Sequence, residues 1–411
     1  MSTNPQSGSR RAFMANIGKA GIFGTLAAAI PGRSLAAEIA EMAALPEAGH
    51  IFLSKPYLQA PQPDSMTIMW ITNELCYSWV EYNKPGQLPQ KAHESHFGLV
   101  NAYNRVNKVT LRNLKPGTEY EYRVFSRQIL EFKPYKITYG ETISSEPTRF
   151  RTPDPKALQV SWLVMNDIHD RPGSFADLMK INGDKPFDYV FLNGDMFDFQ
   201  TGEKQLLDHL INPCGELFST HKPFLFVRGN HETRGNFARE IGDYFANPYQ
   251  PNYFAFSWGP VFHIALDTGE DKPDTEPVYG GIVDFDAYRE EQAAWLEQQL
   301  KSPAFRKARY KVVSMHIPPL YSDDWHGTRH CNKLFVPLFN KYKIDLLVCG
   351  HTHRFALHDR KKGVNEFPIM IGGGPKAGIR TLIRIDAGPE RLEASMFKDD
   401  GSRVGGFTIK G

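Results

Sequence analysis

Five short apolar runs, each followed closely by aspartate, asparagine or histidine, constrain the fold of this chain more than any other feature. The runs are Val160–Met165, Tyr189–Leu192, Phe224–Val227, Lys311–Met315 and Leu346–Cys349. The polar residues after them are, in order, Asp167 and His169, Asp195 and Asp198, Asn230 and His231, His316, and His351 and His353. Continuous apolar runs of this length indicate buried strands. Ligands bind beyond the carboxyl ends of strands in open α/β sheets, so we expect all five groups to meet at one site.

The donor atoms in these groups suit two metal ions. Seven side chains offer oxygen or imidazole nitrogen, namely Asp167, His169, Asp195, Asn230, His316, His351 and His353. Carboxylate and amide oxygens mixed with imidazoles favour zinc, manganese or iron. We therefore predict two divalent or trivalent metal ions, which Asp195 is able to bridge. A lone histidine after a strand is more often structural, so the prediction rests on the five groups together.

Helical patterns separate several of the apolar runs. They cover Phe175–Ile181, Lys204–Phe218, Phe285–Leu300 and Lys333–Tyr342. Buried strands alternating with such helices predict an α/β domain over residues 158–411. Because strand patterns return from Pro368 onward, we expect a second sheet packed on the first. The polar stretch Tyr321–His330 is interpreted as a loop, which either walls the substrate or is simply solvated.

Residues 51–152 have a different pattern, which predicts an all-β sandwich domain in front of the α/β domain. Short alternating runs such as Met66–Thr72 and Ser78–Tyr82 are separated by turn signals. The run Leu114–Tyr122 resembles the tyrosine corner of fibronectin type III domains. This region contains no pattern of catalytic residues. We therefore expect it to have a structural role and to pack against the α/β domain. The proline-containing segment 148–155 is interpreted as the linker.

The first 36 residues have the character of an export signal. Ser9-Arg10-Arg11-Ala12-Phe13 resembles a twin-arginine motif, and the mildly apolar stretch Ile17–Ile30 and small residues follow it. That stretch is shorter than the roughly 20 residues of a membrane span, and no cysteine follows it, so we predict no stable membrane anchor. We expect the twin-arginine export machinery as a partner and a periplasmic or extracellular location. The alternative is a frayed amphipathic helix.

The charge balance of the chain argues against nucleic-acid binding, and the spacing of its cysteines argues against a disulfide framework. Four of the 48 lysines and arginines, and no acidic residue, lie in the first 36 residues, which leaves 44 basic and 46 acidic residues in the rest. So balanced a chain has no global field that attracts polyanions, and we expect no nucleic-acid binding. The widely spaced Cys76, Cys214, Cys331 and Cys349 do not predict a disulfide framework, although one bridge is possible.

The five groups together resemble the calcineurin-like metallophosphoesterase superfamily. Its blocks are Asp-x-His, Gly-Asp-x-x, Gly-Asn-His-Glu, a lone His and Gly-His-x-His, and all are present between Asp167 and His353. The segment that starts Lys55-Pro56-Tyr57-Leu58-Gln59 resembles the N-terminal domain of purple acid phosphatases. The resemblance implies a four-layer α/β/β/α core. It also implies one metal bound by Asp167, His169, Asp195 and His353, and another bound by Asp195, Asn230, His316 and His351.

One position departs from the purple acid phosphatase pattern. Those enzymes have a tyrosine three residues after the bridging aspartate, where this chain has Asp198. Because His169 supplies a ligand instead, we do not predict a tyrosinate–iron centre. An aspartate at this position resembles protein Ser/Thr phosphatases, in which it orients the histidine of Gly-Asn-His, here His231.

The resemblance implies a hydrolase of small phosphate esters, with monoesters favoured. Two cations about 3.5–4 Å apart would lower the pKa of a bridging water, whose hydroxide attacks phosphorus in line. His231 is the predicted general acid, and Asp198 is expected to hold its tautomer and raise its pKa. Arg228 is a candidate for binding the substrate anion.

Two alternative functions stay open on the sequence. A phosphodiesterase or nucleotidase would use the same metal site, because the contacts that select the ester lie in loops. An exported, catalytically silent binding module would also share the fold. The second alternative predicts the loss of at least one ligand, whereas every ligand position of this chain is filled.

Overall fold

The computed structural model describes residues 49–249 and 252–411, so the predicted export signal lies outside the described residues. Within the described part of the chain, no helix combines the length and the apolar character needed to cross a membrane. All four cysteines are buried and free, so the disulfide bridge that the sequence left possible is not formed.

Alternating apolar side chains fold the first part of the described chain into a β domain. Its strands are β1 (Tyr57–Gln62), β2 (Ser65–Asn83), β3 (Gln90–Ala92), β4 (Ser95–His96), β5 (Leu99–Val100), β6 (Ala102–Leu111), β7 (Glu119–Lys133), β8 (Lys136–Ser144) and β9 (Thr148–Arg151). Strand β2 is 19 residues long, and it pairs with β1 and β6 through its first half and with β7 through its second. Both halves contribute to one core, in which Trp70 and Val80 are buried.

Two tyrosines of strand β7 stabilise the β domain, one by a contact within the domain and the other by a contact with the α/β part. Lys115 donates its backbone N–H to the hydroxyl of Tyr120 at 2.9 Å, which is the tyrosine-corner contact expected from the sequence. The Tyr122 hydroxyl instead donates to the carbonyl of Thr220 in the α/β part, at 2.7 Å. The β domain therefore packs against the α/β part, as expected.

The first of two six-stranded sheets in the α/β part carries three of the five predicted strands. In spatial order its strands are β12 (Phe224–Val227), β11 (Tyr189–Asn193), β10 (Val160–Met165), β19 (Thr381–Ala387), β20 (Arg391–Lys398) and β21 (Arg403–Lys410). Strands β10 to β12 are parallel, and β19 pairs with β10 antiparallel. The strands from Thr381 onward therefore extend the first sheet, which corrects the expectation that they form the second. Of the predicted C-terminal strands, only Ile369–Ile371 joins the second sheet.

The middle of the chain forms the second sheet instead. In spatial order its strands are β13 (Phe254–Trp258), β14 (Val261–Leu266), β15 (Tyr310–Met315), β16 (Leu346–Cys349), β18 (Ile369–Ile371) and β17 (Ala356–His358). The two sheets face each other across a core that contains Trp162 and Phe191 from the first sheet and Phe256 and Val312 from the second.

Helices cover the outer faces of both sheets. Those on the first sheet are α1 (Gly173–Asn182), α2 (Glu203–Leu206), a π-helical turn (Leu207–Ile211) and α3 (Asn212–Leu217). Those on the second are α4 (Phe285–Leu300), α5 (Pro303–Lys307) and α6 (His326–Tyr342). Short 3-10 turns lie at His231–Thr233, Asn236–Arg239, Ile241–Tyr244 and Pro277–Tyr279. The predicted four-layer α/β/β/α core is confirmed.

Helix α6 begins at His326 rather than at the predicted Lys333. Thr328 and Cys331 are buried and extend the buried stripe of Phe335 and Phe339 by two helical turns. The second half of the stretch interpreted as a polar loop is therefore helical. Its small buried residues belong to the buried face of the helix, but the polar residues between them hide this periodicity in the sequence.

Candidate metal centre

The carboxyl ends of five strands bring the predicted donors together. Strands β10, β11 and β12 belong to the first sheet and β15 and β16 to the second, so the site lies where the two sheets converge. Three groups of metal-type ligands form there, and one of them, His169, Asp198 and His231, overlaps the others only at His169. The other two groups share Asp195. The first comprises Asp167, His169, Asp195 and His353, and the second comprises Asp195, His316 and His351.

The first group is a close set of two carboxylates and two imidazoles. His353 Nε2 lies 3.3 Å from Asp167 Oδ1, and His169 Nε2 lies 3.6 Å from Asp195 Oδ2. The Nε2 atoms of His353 and His169 are 2.9 Å apart. Two imidazole nitrogens this close cannot both carry a proton, so either one donates a hydrogen bond to the other or both bind one cation.

The second group adds the predicted amide ligand. His316 Nε2 lies 2.9 Å from Asp195 Oδ2, and His351 Nδ1 lies 2.9 Å from Asn230 Oδ1. Asp195 Oδ2 and His316 Nε2 are both buried and neither has a hydrogen-bond partner with acceptable geometry. Because buried polar atoms are rarely left unpartnered, this donor set fits a second cation next to the first.

The backbone at the site is strained. Asp167, His169, Asp195, His351 and His353 all have φ between 50° and 72°, in the left-handed region that non-glycine residues seldom adopt. Each such residue costs on the order of 1–3 kcal/mol, and strain of this kind clusters at functional sites. The surrounding fold therefore holds the five side chains in directions that the sequence alone would not favour.

A glycine allows the closest approach in the site. A Cβ atom on Gly229 would lie 2.1 Å from Asp195 Oδ1, which is far inside van der Waals contact. The glycine before Asn230 is therefore required because the bridging carboxylate packs against its backbone.

Glu232 holds the shared aspartate in place, and the sequence interpretation did not assign it a role. Its buried carboxylate accepts hydrogen bonds from the backbone N–H groups of Asp195 at 2.8 Å, Met196 at 2.6 Å and Gly229 at 2.7 Å. Burial and the charge of Asp195 raise the pKa of Glu232 to about 7. The last residue of the Gly-Asn-His-Glu block was the signal for this role.

Charge coupling is strong in the site. Burial opposes a charge on His316, but the carboxylate of Asp195 outweighs it and raises the pKa of His316 to about 10. Burial and the neighbouring His316 lower the pKa of His351 to about 4. Burial would raise the pKa of Asp195, yet His316 holds it well below its usual value. The buried carboxylates thus stay ionised and need positive charge beside them.

The expected role of Asp198 needs correction. Its carboxylate lies 2.9 Å from Nδ1 of His169, and it is its backbone carbonyl that accepts a hydrogen bond from Nδ1 of His231, at 2.7 Å. Burial lowers the pKa of His231, Asp195 opposes that shift and Arg234 adds to it. Asp198 therefore orients the ligand His169 with its carboxylate. It holds the tautomer of His231, and raises the pKa of that residue, through its backbone carbonyl and not through the predicted side chain.

Arg234 lies beside His231 and was missed in the sequence. Its Nη1 is 3.1 Å from His231 Nε2, while its Nε and Nη2 bind the two carboxylate oxygens of Glu270 at 2.9 and 3.0 Å. The side chain of Arg234 is 31% exposed, so part of the guanidinium remains accessible from solvent. It lies three residues after His231, in a stretch where no sequence pattern distinguishes it from a surface arginine.

Arg228, the predicted anion-binding residue, is already paired. Its Nε and Nη2 both lie 2.7 Å from Asp267 Oδ2, and Tyr288 donates to the same oxygen at 3.2 Å. This fork neutralises the charge of Arg228. The structure therefore assigns Arg228 to an ion pair beneath the site and Arg234 to its accessible side.

A cavity of about 730 Å³ opens next to the site. Its polar lining includes Arg234 and Glu270, and its apolar lining includes Val278, Tyr279 and Ile282. Val278 and Ile282 are exposed, so the cavity offers an apolar wall to a molecule entering from solvent.

Two known protein families match this chain, one in its α/β part and one in its β domain. The calcineurin-like phosphoesterase family matches residues 161–355, and the N-terminal domain of purple acid phosphatases matches residues 54–152. The converging ligand groups and the layered core thus define a metal-dependent phosphoesterase. The chain therefore contains a calcineurin-like phosphoesterase domain, preceded by an N-terminal domain of the purple acid phosphatase type.

Curated relatives agree with this assignment. The chain is 24% identical to probable purple acid phosphatase 20 of Arabidopsis thaliana, over 85% of this chain and 79% of that protein. It is 28% identical to acid phosphatase type 7 of Mus musculus, over 72% of this chain and 68% of that protein. The chain is therefore a metal-dependent phosphoric ester hydrolase with a dinuclear centre, and the binding-module alternative is set aside.

Solved structures share the fold. A purple acid phosphatase from yellow lupin (Lupinus luteus) seeds superposes with a TM-score of 0.66 at 16% identity, covering 86% of this chain and 74% of that one. PhoD superposes with a TM-score of 0.59 at 12% identity, covering 87% of this chain and 93% of that one. At these identities the likeness extends to the fold and not to the substrate.

Proposed function

We propose that this chain hydrolyses phosphate monoesters at a centre of two metal ions that share Asp195. The observation that carries the proposal is the position of Asp195, a buried carboxylate that belongs to two of the ligand groups and lies 2.9 Å from His316 Nε2. One ion would take Asp167, His169, Asp195 and His353, and the other would take Asp195, Asn230, His316 and His351. Zinc, manganese and iron suit these ligands. When bound, such a pair supplies an activated water and holds the phosphoryl oxygens.

His231 is the proposed proton donor to the leaving group. Its Nδ1 is fixed by the carbonyl of Asp198, and its ring packs edge-on against His169 with centroids 4.6 Å apart. Its Nε2 therefore points away from that carbonyl, toward Arg234, which lines the cavity. A leaving oxygen placed between the metal ligands and the cavity would lie within reach of this nitrogen. Because Nδ1 keeps its own proton on the carbonyl of Asp198, Nε2 can donate only when His231 is the imidazolium. Burial lowers the pKa of His231, so this role requires acidic pH.

Arg234 is the proposed partner of the substrate phosphate. Glu270 binds two of its nitrogens and so holds the guanidinium in one orientation, with Nη1 beside His231. A monoester carries more negative charge than a diester, so a fixed cation favours the monoester. The cavity beyond Arg234 provides room for the organic group, and its apolar wall suits an aromatic or aliphatic one.

Replacing Arg234 tests this role. In the Arg234→Gln variant, an amide donor remains for Glu270 while the charge is lost. We expect kcat/KM for para-nitrophenyl phosphate to fall about 10- to 100-fold, the value of one or two charge-assisted hydrogen bonds. The loss for bis-para-nitrophenyl phosphate should be smaller. Arg112→Gln, which removes an exposed, paired arginine of the β domain, is the matched control and should change neither rate much. Equal losses on the two esters would remove the argument for monoester selection.

The alternative of a phosphodiesterase or nucleotidase shares the metal centre, and the ester preference decides it. After reloading with manganese, zinc and iron, the protein should hydrolyse para-nitrophenyl phosphate with the higher kcat/KM. A clear preference for bis-para-nitrophenyl phosphate would establish the diesterase instead. Failure to hydrolyse either ester would contradict the proposed function itself.

Export and domain boundaries complete the proposal. We assign residues 1–36 to a twin-arginine signal, 51–152 to a fibronectin type III-like sandwich and 158–411 to the catalytic domain. Arg10 and Arg11 support the signal, and the Tyr120 corner supports the sandwich. Cell fractionation of the Arg10→Lys/Arg11→Lys variant should find the protein retained in the cytoplasm, while the unaltered chain is exported as a folded, metal-loaded enzyme. Equal export of both would rule out the signal.

A further inference from the structure

A second cluster of metal-type ligands lies away from the proposed centre, where helices α4 and α6 pack against each other. It consists of Asp286 near the start of α4 and of His326 and His330, which are four residues apart on α6. Residues at this spacing share one face of a helix, and two histidines so placed are a recurrent way to bind zinc.

The three side chains converge on one point. His326 Nε2 lies 2.8 Å from Asp286 Oδ2, and His330 Nδ1 lies 3.0 Å from Asp286 Oδ1. A tetrahedral zinc ion with bonds of about 2.0–2.2 Å keeps its ligand atoms about 3.3–3.6 Å apart. His326 Nε2 now bonds both oxygens of Asp286, at 2.9 and 2.8 Å, and separations would have to grow by about 0.5 Å to admit the ion.

One histidine nitrogen in this cluster is buried without a hydrogen-bond partner, as is a histidine nitrogen of the proposed centre. Two buried histidine nitrogens in the described residues have no hydrogen-bond partner, namely His316 Nε2 and His330 Nδ1. Each lies about one hydrogen-bond length from an aspartate oxygen, yet the angles are not those of a hydrogen bond. In both places a buried imidazole nitrogen lies beside a carboxylate oxygen without a hydrogen bond, an arrangement that two ligands of one cation would have.

The groups around the cluster suit a cation. Glu290, one turn after Asp286, places Oε1 4.0 Å from the other nitrogen of His330, where a carboxylate can orient a ligating imidazole. Arg289 Nη1 donates to Asp286 Oδ1 at 2.9 Å. Its charge is opposed by the two carboxylates, so the cluster with neutral imidazoles is still net negative and can accept a divalent ion.

We infer that Asp286, His326 and His330 form a further metal site, which binds zinc or a similar borderline divalent cation. Two nitrogens and one carboxylate are a ligand set that zinc takes with water in the remaining position. The site would pin the start of α6 to α4. The buried guanidinium of Arg289 also binds the carbonyls of Thr268 and Glu270, and Gly327 N donates to the carbonyl of Asp271 at 2.7 Å. The ion would thus stiffen the segment that holds Arg234.

Zinc binding tests the inference directly. Metal-free protein is titrated with zinc against a coloured zinc chelator, and the unaltered chain should bind one ion more than the His326→Gln/His330→Gln variant. The exposed His96 provides the matched control, so His96→Gln should bind as many ions as the unaltered chain. The Asp195→Asn variant should keep this additional ion, which separates the inference from the proposed centre.

Two results would overturn the inference. The double variant could bind as many zinc ions as the unaltered chain, or the unaltered chain could saturate with no ion beyond those of the proposed centre. Either result would leave the cluster as a set of polar contacts between Asp286 and the two histidines. Circular dichroism of the zinc-free proteins checks that the variants fold. If the double variant does not fold, Asp286→Asn replaces it, since it keeps the shape of the side chain, and it should lose the same ion.

Discussion

The Asp195→Asn enzyme is expected to lose at least about 10³-fold in kcat on para-nitrophenyl phosphate and to bind the metal pair less tightly. An amide has the shape of the carboxylate but no charge, so it cannot bridge two cations. Metal activation of water and stabilisation of the phosphoryl oxygens are together worth several kcal/mol, and each 1.36 kcal/mol is tenfold in rate. The measurement is kcat together with metal content by mass spectrometry.

The fold should survive this change. Asp195 Oδ1 accepts the backbone N–H of His231 at 3.0 Å, and the amide oxygen of asparagine can keep that bond. Asp208→Asn, on the exposed face of the helical segment after Asp198, is the matched control and should leave rate and metal content unchanged. An Asp195→Asn enzyme with both metals and near-normal turnover would refute the shared-ligand centre.

The His231→Asn enzyme should lose activity in proportion to how much the leaving group needs a proton. On an alkyl phosphate, whose alkoxide leaves poorly, we expect kcat to fall about 10²- to 10⁴-fold, the usual contribution of a general acid. On para-nitrophenyl phosphate the fall should be much smaller, because nitrophenolate leaves without protonation. Comparing kcat for the two esters measures the effect.

A control separates this role from a merely structural one. The exposed His221→Asn variant should behave like the unaltered enzyme on both esters. Metal content of the His231→Asn enzyme should be unchanged, since His231 is outside both ligand groups that share Asp195. If the two esters lose activity equally, His231 positions the site and does not donate the proton.

The metal ligands could be predicted from the sequence because their signal is local. Each donor follows an apolar run directly, and a strand delivers its last residues to the sheet edge whatever the rest of the chain does. Asp167 and His351 were therefore placed by their own neighbours. The sequence did not reveal that the five strands belong to two sheets, because pairing depends on partners far away in the chain, as in the contact of β10 with β19.

The residues around the ligands were harder to predict. The carboxylate of Asp198 was predicted to contact His231, yet it lies 2.9 Å from Nδ1 of His169, a residue with left-handed backbone. Arg228 and Arg234 lie on either side of the Gly-Asn-His-Glu block. Arg228 is neutralised beneath the site by Asp267, whereas Arg234 is bound by Glu270 and remains accessible. Both acidic partners lie on a later segment of the chain. Such choices are tertiary and leave no periodic trace in the sequence.

The central claim is that Asp195 holds two metal ions together. Crystals of the zinc-loaded His326→Gln/His330→Gln variant, measured at the zinc absorption edge, would show this in an anomalous-difference map. We predict two peaks about 3.5–4 Å apart, with the Asp195 carboxylate between them at about 2.0–2.2 Å from each. A single peak, or two peaks of which one does not contact Asp195, would contradict the account.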